Sequence, residues 1–183
     1  MSLNNHISIF TNYISKEEAE SLIELLNEHD QDDDNWGSPC FSEWWAKIGG
    51  HPELEPKNNP VPDLISRVTK TVSQHFSDSG LKQFIIKGHK HPTPASTSPN
   101  GYKDYAAILY LNDDYKGGHF VMPAEDVSLK LDQGTLIVFK DAGSYGAPRD
   151  ESRFYGVSTV EDGTRYSISF TFYAEGMNDI IYD

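Results

Sequence analysis

The spacing of apolar residues changes once along the chain, from a helical period to a period of two. In "ISKEEAESLIELLNEHD", Ala19, Leu22, Ile23 and Leu26 recur at three and four, which predicts one amphipathic helix. Ser15 with Glu18 three residues later makes a capping-box pattern at its start, and Glu17 and Glu18 lie where the helix dipole favours anions. "NNPVPDLISRVTKTVSQHF" predicts a second helix, with Pro62 near its start and Leu64, Ile65, Val68, Val72 and Phe76 on one face. From Gln83 the pattern alternates. "QFIIK", "YAAILYLN", "GGHFVM", "VSLKL", "GTLIVF", "RFYGVSTV" and "RYSISFTFY" read as short strands separated by Gly, Pro, Asn and Asp, with a tight turn at "DQG", 132–134. Helices followed by a run of strands predict an α+β protein with the helices on one side of an antiparallel sheet. The expected organisation is one domain over 1–183, helical over about 14–77 and β-rich over about 83–175.

The last of these strands carries the most information. Tyr166, Ile168, Phe170 and Phe172 make one bulky apolar face, suited to packing under the helices. Arg165, Ser167, Ser169, Thr171 and Tyr173 make the other. Three short hydroxyl side chains beyond a single cation leave room, as the inside of a small ligand-holding barrel requires. A plain solvent face with small residues gives the same pattern, and the alternation by itself leaves both open.

Charge and cysteine usage narrow the partners. Fifteen basic against 28 acidic side chains give 15 − 28 = −13, and no run of Lys or Arg counters that field, so nucleic acid and anionic membrane surfaces are not expected partners. Cys40 is the only cysteine, which excludes an intramolecular disulfide and suits a reducing compartment. "MSLNNHISIF" lacks a cationic start and a long apolar stretch, and no window approaches a membrane span. The expectation is a soluble cytoplasmic protein.

Several side chains invite chemical readings. Asp32 to Asp34 form an acidic run, but a calcium loop wants alternating ligands and a turn glycine, so a solvated loop is the better reading. Trp44 and Trp45 either wall a pocket or pack under a loop. In the connection "KDAGSYGAPRDESRF", longer than a hairpin needs, Tyr145, Arg149 and Arg153 either dress a site or, for the arginines, pair with nearby acids.

"ILYLNDDYKGGHFVMP", "KLDQGTLIVF" and "GVSTVEDGTRYSISF", in this order and spacing, resemble the iron(II)- and 2-oxoglutarate-dependent dioxygenases of the prolyl 4-hydroxylase type. The resemblance covers roughly Phe84 to Tyr173, and "YISKEEAESLI" is similar to the helix that precedes such domains. It implies a double-stranded β-helix, a squashed barrel of two antiparallel sheets with two supporting helices ahead of it. It also implies hydroxylation of a peptide or small-molecule substrate, with 2-oxoglutarate consumed to succinate at an iron held by two His and one carboxylate. Arg165 in "GTRYSISF" matches the arginine that binds the far carboxylate of 2-oxoglutarate, and Tyr110 in "ILYLN" matches its assisting tyrosine.

The metal half departs from the family pattern. Tyr155 stands ten residues before Arg165, where the second His is expected. "GHKHPTPAS" offers His91-Pro-Thr93 for the early His-x-Asp, so a hydroxyl replaces the carboxylate, and a shifted frame gives His89-Lys-His91 as a candidate metal pair. Asp104, His119, Asp141 and Asp150 are the other donors within reach of the barrel strands. Three readings follow: an oxygenase whose iron is held by His91 with His89 or an unplaced carboxylate; a metal-free pseudo-oxygenase that binds a small carboxylate or a protein; and a cupin-like site on His89, His91 and His119.

Overall fold

The computed structural model describes residues 2–4, 6–29, 61–78, 80–92, 95–100, 104–141 and 150–173. The acidic run at 32–34, Cys40, Trp44, Trp45, Thr93, Tyr145 and Arg149 lie outside them. Helix α1 spans Lys16–His29 and α2 spans Val61–Phe76. The capping box forms in part as read: the Glu18 amide donates to Ser15 Oγ at 3.1 Å. Arg67 on α2 ties the helices together through an ion pair with Glu18 of α1, while its Nε lies 2.8 Å from Asp63.

Among the described residues eleven strands make two antiparallel sheets. The first contains β1 (Ser2–Asn4), β2 (Ile7–Phe10), β3 (Lys82–Pro92), β5 (Tyr105–Tyr110), β9 (Leu136–Lys140) and β11 (Thr164–Tyr173), in the order β1-β2-β9-β5-β11-β3. The second contains β4 (Ala95–Asn100), β10 (Tyr155–Asp162), β7 (Phe120–Met122) and β8 (Val127–Leu129), with the short β6 (Lys116–Gly117) also paired to β10. The two N-terminal strands were not legible in the sequence; β2 joins the six-stranded sheet by pairing with β9, so the barrel begins ahead of the helices.

Two cores lie on opposite faces of the six-stranded sheet. Outside, Leu22 and Leu26 of α1 and Leu64, Val68 and Val72 of α2 bury themselves against Ala107, Leu109, Val138, Ile168, Phe170 and Phe172. This is the apolar face that the alternation of β11 assigned to the helices. Inside, Ile7, Ala106, Ile108, Tyr110, Ile137 and Phe139 of the six-stranded sheet meet Phe120 and Met122 of the other sheet, with Tyr155 packed against them. Two sheets closed over a shared interior, with helices covering one outer face, make the double-stranded β-helix that was expected. The turn at 132–134 needs its glycine: Gly134 has φ +77°, and a Cβ there would come within 2.6 Å of the Ile14 carbonyl oxygen. Among the described residues no helix is long and apolar enough to cross a membrane.

Candidate functional site

Opposite residues of paired antiparallel strands share a face, so the register of β11 fixes what enters the barrel. On one side Ser167 faces Tyr110 of β5; on the other, Arg165 faces His91 and Ser167 faces His89 of β3. Arg165, Ser167, Ser169, Tyr110 and His89 therefore share the inner face. The room suggested by the small side chains is partly used, since His89 Nε2 and Ser169 Oγ are 2.7 Å apart. For His91 the position is fixed by the backbone, directly opposite Arg165.

Arg165 is 1% exposed, an unusual setting for a guanidinium. Its Cζ lies 4.7 Å from the centre of the Tyr110 ring, so the tyrosine supports the cation with its aromatic face. Tyr115 closes the other side. Its phenol is pushed up to about 12 by burial, with the adjacent Arg165 pulling the other way. Lys130 lies across the Tyr115 ring, Nζ 3.1 Å from its centre, and donates to the Tyr115 carbonyl at 2.7 Å. Gly118 permits this packing: φ is +63°, and a Cβ would stand 2.8 Å from the Tyr115 ring and 3.2 Å from Arg165 Cδ. The hydroxyls of Tyr110 and Ser167 are buried here and make no hydrogen bond among the described residues. Each such group costs about 1–3 kcal/mol unless water or a ligand satisfies it. A buried guanidinium beside two buried hydroxyls suits a carboxylate, which accepts from all three.

The opposite end of the barrel has a different chemistry. Tyr155 opens β10 and points inward, its ring 6.0 Å from Phe120 in a stacked arrangement and 4.5 Å from Phe139 edge-on. Burial, and secondarily the Asp141 carboxylate, hold its phenol well above the usual value, so it stays neutral. A neutral phenol is a poor ligand for iron(II). In register, Tyr155 faces Asn100, and Val157 faces Thr97 of β4, while β7 pairs with the other edge of β10 through Val121 and Phe120. The sequence from Thr93 to Asn100, "TPASTSPN", contains no His, Asp, Glu or Cys. His89 and His91 lie instead on β3, in the other sheet. Among the described residues no three His, Cys, Asp or Glu side chains converge to hold a metal. The described donors around Arg165 suit a carboxylate, and among the described residues they do not form a two-histidine, one-carboxylate set.

The remaining candidates separate. His119 precedes the inward-facing Phe120 and so faces outward, where its Nδ1 lies 3.2 Å from Ser128 Oγ. It does not join His89, and the three-histidine set is not assembled. Asp150 is engaged with the Ser152 amide and with Arg153, whose Nε is 3.0 Å away, so Arg153 pairs with a nearby acid as the blander reading had it. Asp141 is 2% exposed, and its amide donates to the Asp104 carbonyl.

Solved structures share this architecture from end to end. A viral collagen prolyl hydroxylase from Paramecium bursaria Chlorella virus-1 superposes with a TM-score of 0.70 at 14% identity, covering 92% of this chain and 90% of that one. A Pseudomonas putida prolyl-4-hydroxylase gives 0.64 at 15% identity, covering 93% and 94%. The chain has the prolyl hydroxylase fold of the 2-oxoglutarate oxygenases. HygX from Streptomyces hygroscopicus, solved with nickel and 2-oxoglutarate bound, gives 0.63 at 12% identity, covering 93% and 83%. In sequence, human prolyl 3-hydroxylase 2 is 32% identical over 76 residues, which is 39% of this chain and 10% of that protein. The chain thus spans about a tenth of the length of the curated relatives it matches. No protein-family model matches it. On the prolyl hydroxylase fold, Tyr115, Lys130 and Gly118 were missed by the sequence reading. "NDDYKGG" looks like a polar turn, and nothing local announces that Tyr115 and Arg165 pack against the bare Cα of Gly118.

Proposed function

We propose that this chain is a prolyl hydroxylase-fold protein that binds a small carboxylate at Arg165 without iron. The observation that carries the reading is the neutral Tyr155, packed between Phe120 and Phe139 where a metal-binding histidine is expected and in register with a strand that offers no ligand. Arg165 anchors the carboxylate, the Tyr110 ring holds the guanidinium in plane, and the Tyr110 and Ser167 hydroxyls complete the set of donors. Anaerobic titration with iron(II), followed by a succinate assay in air, is expected to show neither stoichiometric metal binding nor succinate. Calorimetry on the same iron-free protein is expected to show saturable carboxylate binding that Arg165→Ala abolishes. Stoichiometric iron binding with succinate formation overturns the proposal.

A second reading, an iron-dependent hydroxylase with a displaced ligand set, draws on the register that sets His89 opposite Ser167 and His91 opposite Arg165. Iron binding lost in both His89→Ala and His91→Ala favours it.

A further inference from the structure

A third hydroxyl is buried beside Arg165. The Tyr115 side-chain oxygen, like those of Tyr110 and Ser167, makes no hydrogen bond among the described residues. Its place is set by tertiary packing. The ring lies against the bare Cα of Gly118, where a Cβ would stand 2.8 Å from Tyr115 Cε2 and 3.2 Å from Arg165 Cδ, so tyrosine and arginine meet over the same glycine. Lys130 Nζ lies over the ring, 3.1 Å from its centre, and donates to the carbonyl of the same residue. Both Arg165 and the Tyr110 phenol act electrostatically on the Tyr115 phenol, so the three groups share one neighbourhood. Ser167 belongs to it as well, opposite Tyr110 and two residues from Arg165 on the same face of β11.

The chemistry of these neighbours leaves the Tyr115 hydrogen without an acceptor. Arg and Lys side chains only donate, so whatever the guanidinium offers the phenol oxygen, the O–H hydrogen still needs a partner. The Tyr110 and Ser167 hydroxyls can accept, but neither is bonded to it. A donor buried in this way is costly unless water or a ligand accepts from it. An ionised carboxylate only accepts, at about four lone-pair sites across its two oxygens. A guanidinium with three hydroxyls around it supplies that many donors.

Resting on the reading that Arg165 holds a carboxylate, we propose that Tyr115 is a further ligand-binding residue of that site, donating its phenolic hydrogen to the carboxylate alongside Tyr110 and Ser167. A hydroxyl left unsatisfied for a ligand acts in opposite directions on binding and on stability. Tyr115→Phe separates the two, because it keeps the ring, its packing on Gly118 and the lysine above it. 2-Oxoglutarate and glutarate are titrated calorimetrically into the full iron-free chain near neutral pH, and the ligand-free proteins are unfolded in denaturant. Carboxylate affinity is expected to fall about ten- to a hundredfold in the variant, the range for one hydrogen bond to a charged acceptor. The ligand-free variant is expected to unfold at the same or a higher denaturant concentration, since no native hydrogen bond is lost. Unchanged affinity in Tyr115→Phe, with binding still weakened by Arg165→Lys, overturns the role of Tyr115 and leaves the carboxylate site standing. A loss of affinity matched by an equal loss of stability marks the hydroxyl as a structural bond and overturns the role too. Binding of neither probe to the wild type, or binding indifferent to Arg165→Lys, overturns both readings.

Discussion

The two ends of the barrel interior have opposite construction. Around Arg165 a cation is buried among aromatic rings beside two hydroxyls that no described residue satisfies, and those hydroxyls are costly unless water or a ligand bonds them. Around Tyr155 three aromatic rings pack against one another, an arrangement that is favourable as it stands. A polar site held at a cost points to use, whereas a cluster of aromatic rings points to packing. The fold tolerates this because β10 and β11 belong to different sheets, so the two ends answer to different strand neighbours.

The largest expected effect comes from breaking the packed end. Phe139 is fully buried and contacts both Phe120 and Tyr155. Phe139→Ala is expected to cost about 3–5 kcal/mol in denaturant unfolding, the range for a large aromatic truncated in a core. A cost below about 1 kcal/mol in the same experiment shows that this end is loosely filled, and the contrast between the two ends dissolves.

Breaking the polar end separates stability from binding. Gly118→Ala forces a Cβ against Tyr115 and Arg165 at a positive φ, and is expected to cost about 1–3 kcal/mol. Carboxylate affinity measured by calorimetry is expected to fall further than in Phe139→Leu, which leaves the arginine untouched.

The same end has a signature in pH. The Tyr115 phenol, about 10 in the unfolded chain, is raised to about 12 when folded. The unfolded state therefore loses its proton first. The contribution is fully present below pH 10 and is lost as pH rises through 12, a fall of about 2–3 kcal/mol. The difference in unfolding free energy between wild type and Tyr115→Phe is expected to be flat up to pH 9 and to move in favour of the variant above pH 10. A flat difference to pH 12 contradicts the burial of this phenol beside Arg165.

How much of this contrast was readable in advance follows from what each residue depends on. The inner position of Arg165 was legible from the alternation of β11, whereas Tyr110 was singled out through the family resemblance, and the register sets it opposite Ser167 on that same face. The face of β11 that meets the helices was legible for the same reason. Tyr155 was legible as a misfit, but its partner was not. Strand β4, "ASTSPN", has no apolar alternation, only Thr97 as a strand former, and a proline, so little that is local announces it. The early motif is read at His91 and Thr93; Thr93 lies outside the described residues, and β4, which pairs with β10 at Tyr155, begins at Ala95. Strands β1 and β2 are three and four residues long, too short to show a period. Tyr115 and Lys130 meet only through tertiary packing around Gly118.

The smallest expected effect is the sharpest test of the contrast itself. Tyr155→His restores an imidazole at the position where the family pattern has a ligand, yet Asn100 remains opposite and β4 still offers no carboxylate. A single imidazole is a weak iron site, since two-histidine, one-carboxylate chemistry needs three converging donors. The substitution is expected to leave iron(II) affinity near that of wild type in an anaerobic titration. It is also expected to cost about 1–2 kcal/mol of stability from the lost ring contacts with Phe120 and Phe139. Stoichiometric iron binding in this one variant means that two further ligands already stand around residue 155, one substitution away from an oxygenase centre, and that the packed end is a recent loss rather than a rebuilt core.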